Sequence, residues 1–213
     1  MSTSLWLAVL GLGAYHGLNP AMGWPLAVAN GMTARRGSAV FATVVPLGAG
    51  HLAAMAVVLA PFALVAQLLA WNHLFRAVAA LLVIAFGLAK LLMPRHPRFL
   101  ARIPPTRLAW WSFLMATAHG AGLMLLPVMI GLCGQGDSIR QSLSGLAASG
   151  VAIAITVALV HTLATILAGA AAAWACYRWL GLRFIRQSWF NLDKLWAGSL
   201  LLSGAAGLTA ALA

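Results

Sequence analysis

The chain reads as an all-α integral membrane protein. Its expected architecture is six transmembrane helices in two inverted halves of three, with helices 1 and 4 interrupted and both termini outside. Three observations carry this reading. Hydrophobic residues make up 63% of the chain and charged residues 7%, which leaves no polar shell for a soluble domain. The apolar residues fall into a series of runs, each long enough for the roughly 20 residues that cross bilayer hydrocarbon. One phrase is also written twice, as Ala14-Tyr15-His16-Gly17 and as Thr117-Ala118-His119-Gly120, each followed by a proline, Pro25 or Pro127.

The helices are expected at about Leu5–Met32, Ser38–Leu59, Leu74–Met93, Leu108–Cys133, Ser144–Trp174 and Asp193–Leu212. The first has no cationic segment before it and exceeds a signal-peptide core in length, so it is read as a retained span. Strands of a membrane barrel would be about ten residues long and alternate in polarity. These runs are longer and apolar on every face. The whole of 1–213 is therefore one transmembrane domain, with repeat 1 at about 5–93, a basic linker at about 94–107 and repeat 2 at about 108–213.

Basic residues orient the helices. Arg35 and Arg36 follow helix 1, Arg95, Arg98, Arg102 and Arg107 follow helix 3, and Arg178, Arg183 and Arg186 follow helix 5. The opposite side carries only Arg76 and Arg140. Loops rich in Lys and Arg stay in the cytoplasm, which places loops 1, 3 and 5 inside an inner or plasma membrane. The net charge of +11 is then a topology signal and a contact for anionic lipid, with no nucleic acid implied.

With three helices per half, helix 1 and its match helix 4 run in opposite directions. Phe86-Gly87-Leu88-Ala89 and Ala206-Gly207-Leu208-Thr209 extend the match to the third helices. Inverted repeats of this kind build secondary transporters whose sites lie near the midplane on interrupted helices. Gly-mediated packing of small residues is the competing explanation for the glycines.

His16, His51, His119 and His161 all fall near the middle of their helices, about 15–20 Å from either surface. Buried imidazoles at that depth are costly and mark ion or proton pathways. Asn19 is expected to share a face with His16. Gly17, Pro20, Pro25, Pro46, Gly120 and Pro127 are the candidate helix breaks, because proline removes a backbone donor and clashes with the preceding turn. Met55 and Met115, four residues from His51 and His119, are candidate additional ligands.

Imidazole is a common ligand of Ni, Co, Zn and Cu, and a neighbouring thioether suits Cu(I). The chain contains no glutamate, and its two aspartates, Asp137 and Asp193, lie in loops or at helix ends, which disfavours Mg²⁺ and Ca²⁺. Proton relay and interhelical hydrogen bonding are the other uses such histidines serve. Cys133 and Cys176 fall on opposite sides of the bilayer, too far apart for a disulfide. Serine and cysteine nucleophile motifs, a phosphate loop and a zinc finger are all missing, so no enzyme is expected.

In its 3+3 layout and its His-Gly and His-Leu motifs, notably Gly50-His51-Leu52-Ala53-Ala54-Met55, the chain resembles the LysE superfamily of small transporters. Within it, the nickel/cobalt exporters and the hydrogenase/urease accessory permeases are the most similar branches. The nickel/cobalt branch pairs its membrane histidine with a nearby aspartate, where this chain has Asn19, and carries a His-rich loop where this chain has only His96. The resemblance implies a secondary transporter that exports or moves a transition-metal cation or other small solute. Its partners would be the lipid bilayer and the solute, with a homo-oligomer admissible. The alternative is an intramembrane metal- or haem-binding enzyme or an accessory subunit holding its ligand on the same histidines.

Overall fold

The computed structural model describes residues 3–68, 73–92, 103–133, 143–180 and 192–212. They are 95% helical and include no strand, so the all-α expectation holds. The described helices are α1 (Thr3–Leu18), α2 (Trp24–Ala34), α3 (Ser38–Leu68), α4 (His73–Leu92), α5 (Leu108–His119), α6 (Ala121–Cys133), α7 (Leu143–Ala175) and α8 (Leu192–Leu212). A π-helical turn, Cys176–Leu180, continues α7. Over Ser38–Pro61 and Gly150–Leu180 the chain is long and apolar enough to cross a membrane; Ala77–Leu92 and Ala197–Thr209 are shorter apolar helices.

The expected first helix divides into α1 and α2. Proline is costly in a helix interior, and at Pro20 the chain leaves the α-helix for a 3₁₀ segment, Pro20–Met22. Asn19 caps that segment, its Oδ1 accepting from the Ala21 N–H at 3.0 Å. Gly23, at φ 98°, then takes the left-handed conformation that a side chain would resist. The Trp24 Nε1–H donates to the Leu18 carbonyl at 3.1 Å and ties the two ends together.

The expected fourth helix also divides, at Gly120 (φ 70°), whose N–H is taken by the Ala116 and Thr117 carbonyls. Four of the anticipated breaks behave otherwise. Pro46 lies inside an unbroken α3, and Pro127 inside an unbroken α6. Each removes only one N–H from its helix. Pro25 begins α2 in the first turn, where its missing N–H is harmless. Gly17 belongs to α1 and serves as a contact surface. The expectation that α3 stops near Leu59 also fails, since Pro61 is accommodated and the helix runs to Leu68.

Small residues set the packing of the bundle. Gly13 of α1 faces His161 and Ala164 of α7, and Gly17 faces Thr165 and Ala168. These contacts advance together along both helices, so α1 and α7 run in the same direction. A Cβ on Gly17 would collide with the Thr165 carbonyl. Gly48 meets Ile166 while His51 meets His161, so α3 and α7 are antiparallel. Gly87 packs on Leu200 and Leu201, and Gly204 on Ile84, which makes α4 and α8 antiparallel as well. α5 lies on α3, where Gly50 leaves room for the Ala109 carbonyl and Ser112 Oγ donates to the Leu47 carbonyl at 2.6 Å.

The main core, including Val9, Met55, Leu59, Ala116, Leu125 and Val157, joins α1, α3, α5, α6 and α7. Large apolar side chains also point outward, among them Val45 (70% exposed), Leu92 (77%) and Leu202 (74%). The loop residues Arg95, His96, Arg98, Arg102, Asp137, Arg140, Arg183 and Arg186 lie outside the described residues. The side chains of Arg76, Cys133 and Asp193 are likewise not described.

Candidate histidine site

Three of the four histidines meet. His16 comes from the last turn of α1, His51 from the middle of α3 and His161 from the middle of α7. His16 lies edge-on to His51 with ring centroids 4.9 Å apart, and edge-on to His161 at 5.5 Å. His51 and His161 stack at 5.6 Å, their planes 20° apart. The three side chains are 0%, 3% and 1% exposed.

The ring nitrogens are sparsely bonded for groups so deeply buried. His51 Nε2 and both nitrogens of His161 make no hydrogen bond; the Val9 backbone lies beside His161 without hydrogen-bond geometry. The Thr162 hydroxyl next in sequence is also buried and unpartnered. Leaving such groups unsatisfied costs about 1–3 kcal/mol each, so a fold selected for packing alone has no use for the arrangement. The Thr165 hydroxyl reaches the carbonyls of Gly13 (3.1 Å) and His161 (2.9 Å), fixing α1 against α7 beside the cluster.

The fourth histidine, His119, makes no ring contact with the other three. It ends α5, is 5% exposed, and its Nδ1 donates to the Met115 carbonyl at 2.8 Å. It remains within electrostatic range of His16. The expected convergence of four imidazoles is therefore a triangle of three with His119 alongside.

The secondary ligands are rearranged too. Asn19 Oδ1 is engaged as the cap of the 3₁₀ turn, because the chain is no longer helical between residues 18 and 23. Met55 is fully buried in the central core, where it fills space among Ala54, Leu59 and Leu125. Met115 contributes its backbone carbonyl to His119. The sulfur that does approach the cluster is Met22, whose Sδ lies 2.7 Å from His16 Nε2. Helical spacing rules miss it, since residues six apart meet only when the helix between them is broken.

Two cavities lie along α3. One, of about 30 Å³, is lined by Val44, Leu47 and His51 together with Met22, Trp24 and Ser112, and has room for a water or two. The other, of about 320 Å³, runs along Ala54–Pro61 and passes the break at Gly120. Among the described residues no three His, Cys, Asp or Glu side chains form a ready-made metal cage.

No family model, curated protein or solved structure matches the chain. Its function must be read from the site. The cluster offers neutral lone pairs and N–H groups in a nearly dry setting, next to two interrupted helices.

Proposed function

We propose that this chain is a small secondary transporter of the inner or plasma membrane. It would move a small cation by alternating access through the His16–His51–His161 cluster, with His119 beside the path. The observation that carries the reading is the meeting of three buried imidazoles from three helices, with His51 Nε2 and the His161 nitrogens left unbonded. Intramembrane polar groups of this kind mark substrate and ion pathways.

Several features support six spans as a 3+3 inverted repeat. A helix break follows each copy of the repeated phrase, at residues 19–23 after His16 and at Gly120 after His119. Helices 1 and 5 of the expected topology run the same way, and helices 2 and 5 run oppositely, as the α1–α7 and α3–α7 contacts require. The ends of α2 and α7 come together, Gly31 against Tyr177 and Gly37 against Trp174. Arg35, Arg36 and Arg178 thereby share one end of the bundle, the end assigned to the cytoplasm. The outward apolar side chains would face lipid. The smaller of the two cavities along α3 is lined by His51 and offers an approach to the cluster.

This reading agrees with the resemblance to the LysE superfamily. A fixed haem is less well served, since the space beside His51 admits a water or two and no porphyrin. Flux into proteoliposomes, measured over a panel of metal cations and small anions with and without a pH gradient, tests the proposal. Flux of at least one cation is expected, lost in His51→Ala. Retained flux in both His51→Ala and His161→Ala would remove the cluster from the pathway.

A further inference from the structure

Resting on that reading, we propose that the cargo is a soft monovalent cation, Cu(I) or its chemical analogue Ag(I), and that Met22 is one of its ligands. Met22 Sδ and His16 Nε2 converge at 2.7 Å, and Met22 and His51 line the same small cavity. His51 Nε2 is buried and unpartnered there. The donor set is thus imidazole nitrogen and thioether sulfur, which select Cu(I) among common cellular metals.

Charge points the same way. The chain has two carboxylate side chains, Asp137 and Asp193, and neither lies in a histidine-bearing stretch. Neutral donors leave the full ionic charge in a dry interior. Because the desolvation cost grows as the square of the charge, a divalent ion pays roughly four times that of a monovalent one of similar size. Mg²⁺ and Ca²⁺ would in addition need oxygen ligands. An anion would need hydrogen-bond donors, and a thioether provides none.

Loading would couple to the helix break. Metal bonds of about 2.0 Å to nitrogen and 2.3 Å to sulfur separate those two atoms by roughly 3.5 Å around a tetrahedral ion. Met22 sits in the 3₁₀ turn between α1 and α2, next to left-handed Gly23, so an ion held between Met22 and His16 would tie the joint between the two helices to the cluster. His51 and His161 would turn about their side-chain bonds to bring their free nitrogens to the ion.

The test uses the full chain with both cysteines replaced (Cys133→Ser, Cys176→Ser), purified in detergent under anaerobic reducing conditions. Cu(I) is titrated in competition with a chromophoric Cu(I) chelator. One Cu(I) per chain is expected, with sulfur in its X-ray absorption shell. Met22→Leu should lower affinity at least tenfold and remove the sulfur, whereas Met55→Leu changes neither. As a check needing no change at Met22, its methyl ¹³C resonance should shift when Ag(I) is added. Absence of Cu(I) binding, a sulfur shell that survives Met22→Leu, or an unmoved Met22 methyl each overturns the assignment. Histidine-dependent flux of another solute alongside any of these results would leave the transporter reading standing and sink only the Cu(I) site.

Discussion

His16 and His51 meet edge-on with ring centroids 4.9 Å apart, and neither ring is more than 3% exposed. Together with His161 they place costly polar groups where leucine would pack more cheaply. A functional cluster and a packing cluster therefore respond differently to an apolar replacement. Exchanging an unsatisfied buried polar group for an apolar one of similar volume removes a penalty of about 1–3 kcal/mol. His161→Leu should hold or raise the thermal unfolding temperature in detergent while cutting proteoliposome flux at least tenfold. A variant that unfolds more easily and still transports would mark His161 as a packing residue.

Asn19 acts on the cluster through backbone geometry. Its Oδ1 holds the Ala21 N–H and so sets the 3₁₀ turn that carries Met22 to His16. Asn19→Ala should cost about 1 kcal/mol, the usual value of a lost N-cap, and Asn19→Asp should restore most of it. Hydrogen exchange over residues 19–23 should accelerate in the alanine variant and return toward normal in the aspartate variant. Unchanged exchange in Asn19→Ala would show that the cap does not hold the turn.

Two glycines of α1 should give opposite results. Around Gly11 a new Cβ meets nothing within 4 Å, whereas at Gly17 it would run into the Thr165 carbonyl. Gly11→Ala should stabilise by about 0.5–1 kcal/mol through helix propensity. Gly17→Ala should destabilise by about 1–3 kcal/mol, the usual range for overpacking, and should move His16 away from His161. Gly120→Ala should also destabilise, by about 1–2 kcal/mol, because φ there is 70°. Unfolding in detergent ranks the three variants, and equal effects at Gly11 and Gly17 would refute the close α1–α7 approach.

The parts of this molecule that were legible in the sequence are those set by local chemistry. Asn19-Pro20 marked the first interruption because proline removes a backbone donor and crowds the preceding turn, and Gly120 the second because glycine tolerates positive φ. Pro46 and Pro127 misled, since a proline within a long helix loses one hydrogen bond and the helix can continue past it. Similar depth along their helices suggests that four histidines converge, and three of them, His16, His51 and His161, do meet. The exclusion of His119 from the ring contacts depends on how α5 lies against α3, where Gly50 receives the Ala109 carbonyl. That is a tertiary relation which spacing along one helix does not contain. Met22 was hidden for the same reason, because only the folded turn at residues 19–23 brings it back to His16.

The joined ends of α2 and α7 lead to a prediction about sidedness. Gly31 lies against Tyr177 and Gly37 against Trp174, so Arg36 and Arg178 belong to one end of the bundle whatever membrane surrounds it. Positive residues are retained on the cytoplasmic side, and in the proposed topology one crossing separates that end from the start of α1. Single cysteines in place of Arg36, Arg178 and Ser4, each in a chain with Cys133→Ser and Cys176→Ser, report the arrangement. In intact cells an impermeant maleimide should label Ser4→Cys from outside. It should leave Arg36→Cys and Arg178→Cys unlabelled until the membrane is opened. Labelling of Arg36→Cys and Arg178→Cys from opposite sides would contradict the packing of α2 on α7. Labelling of both from outside would invert the proposed orientation and leave the histidine cluster where it is.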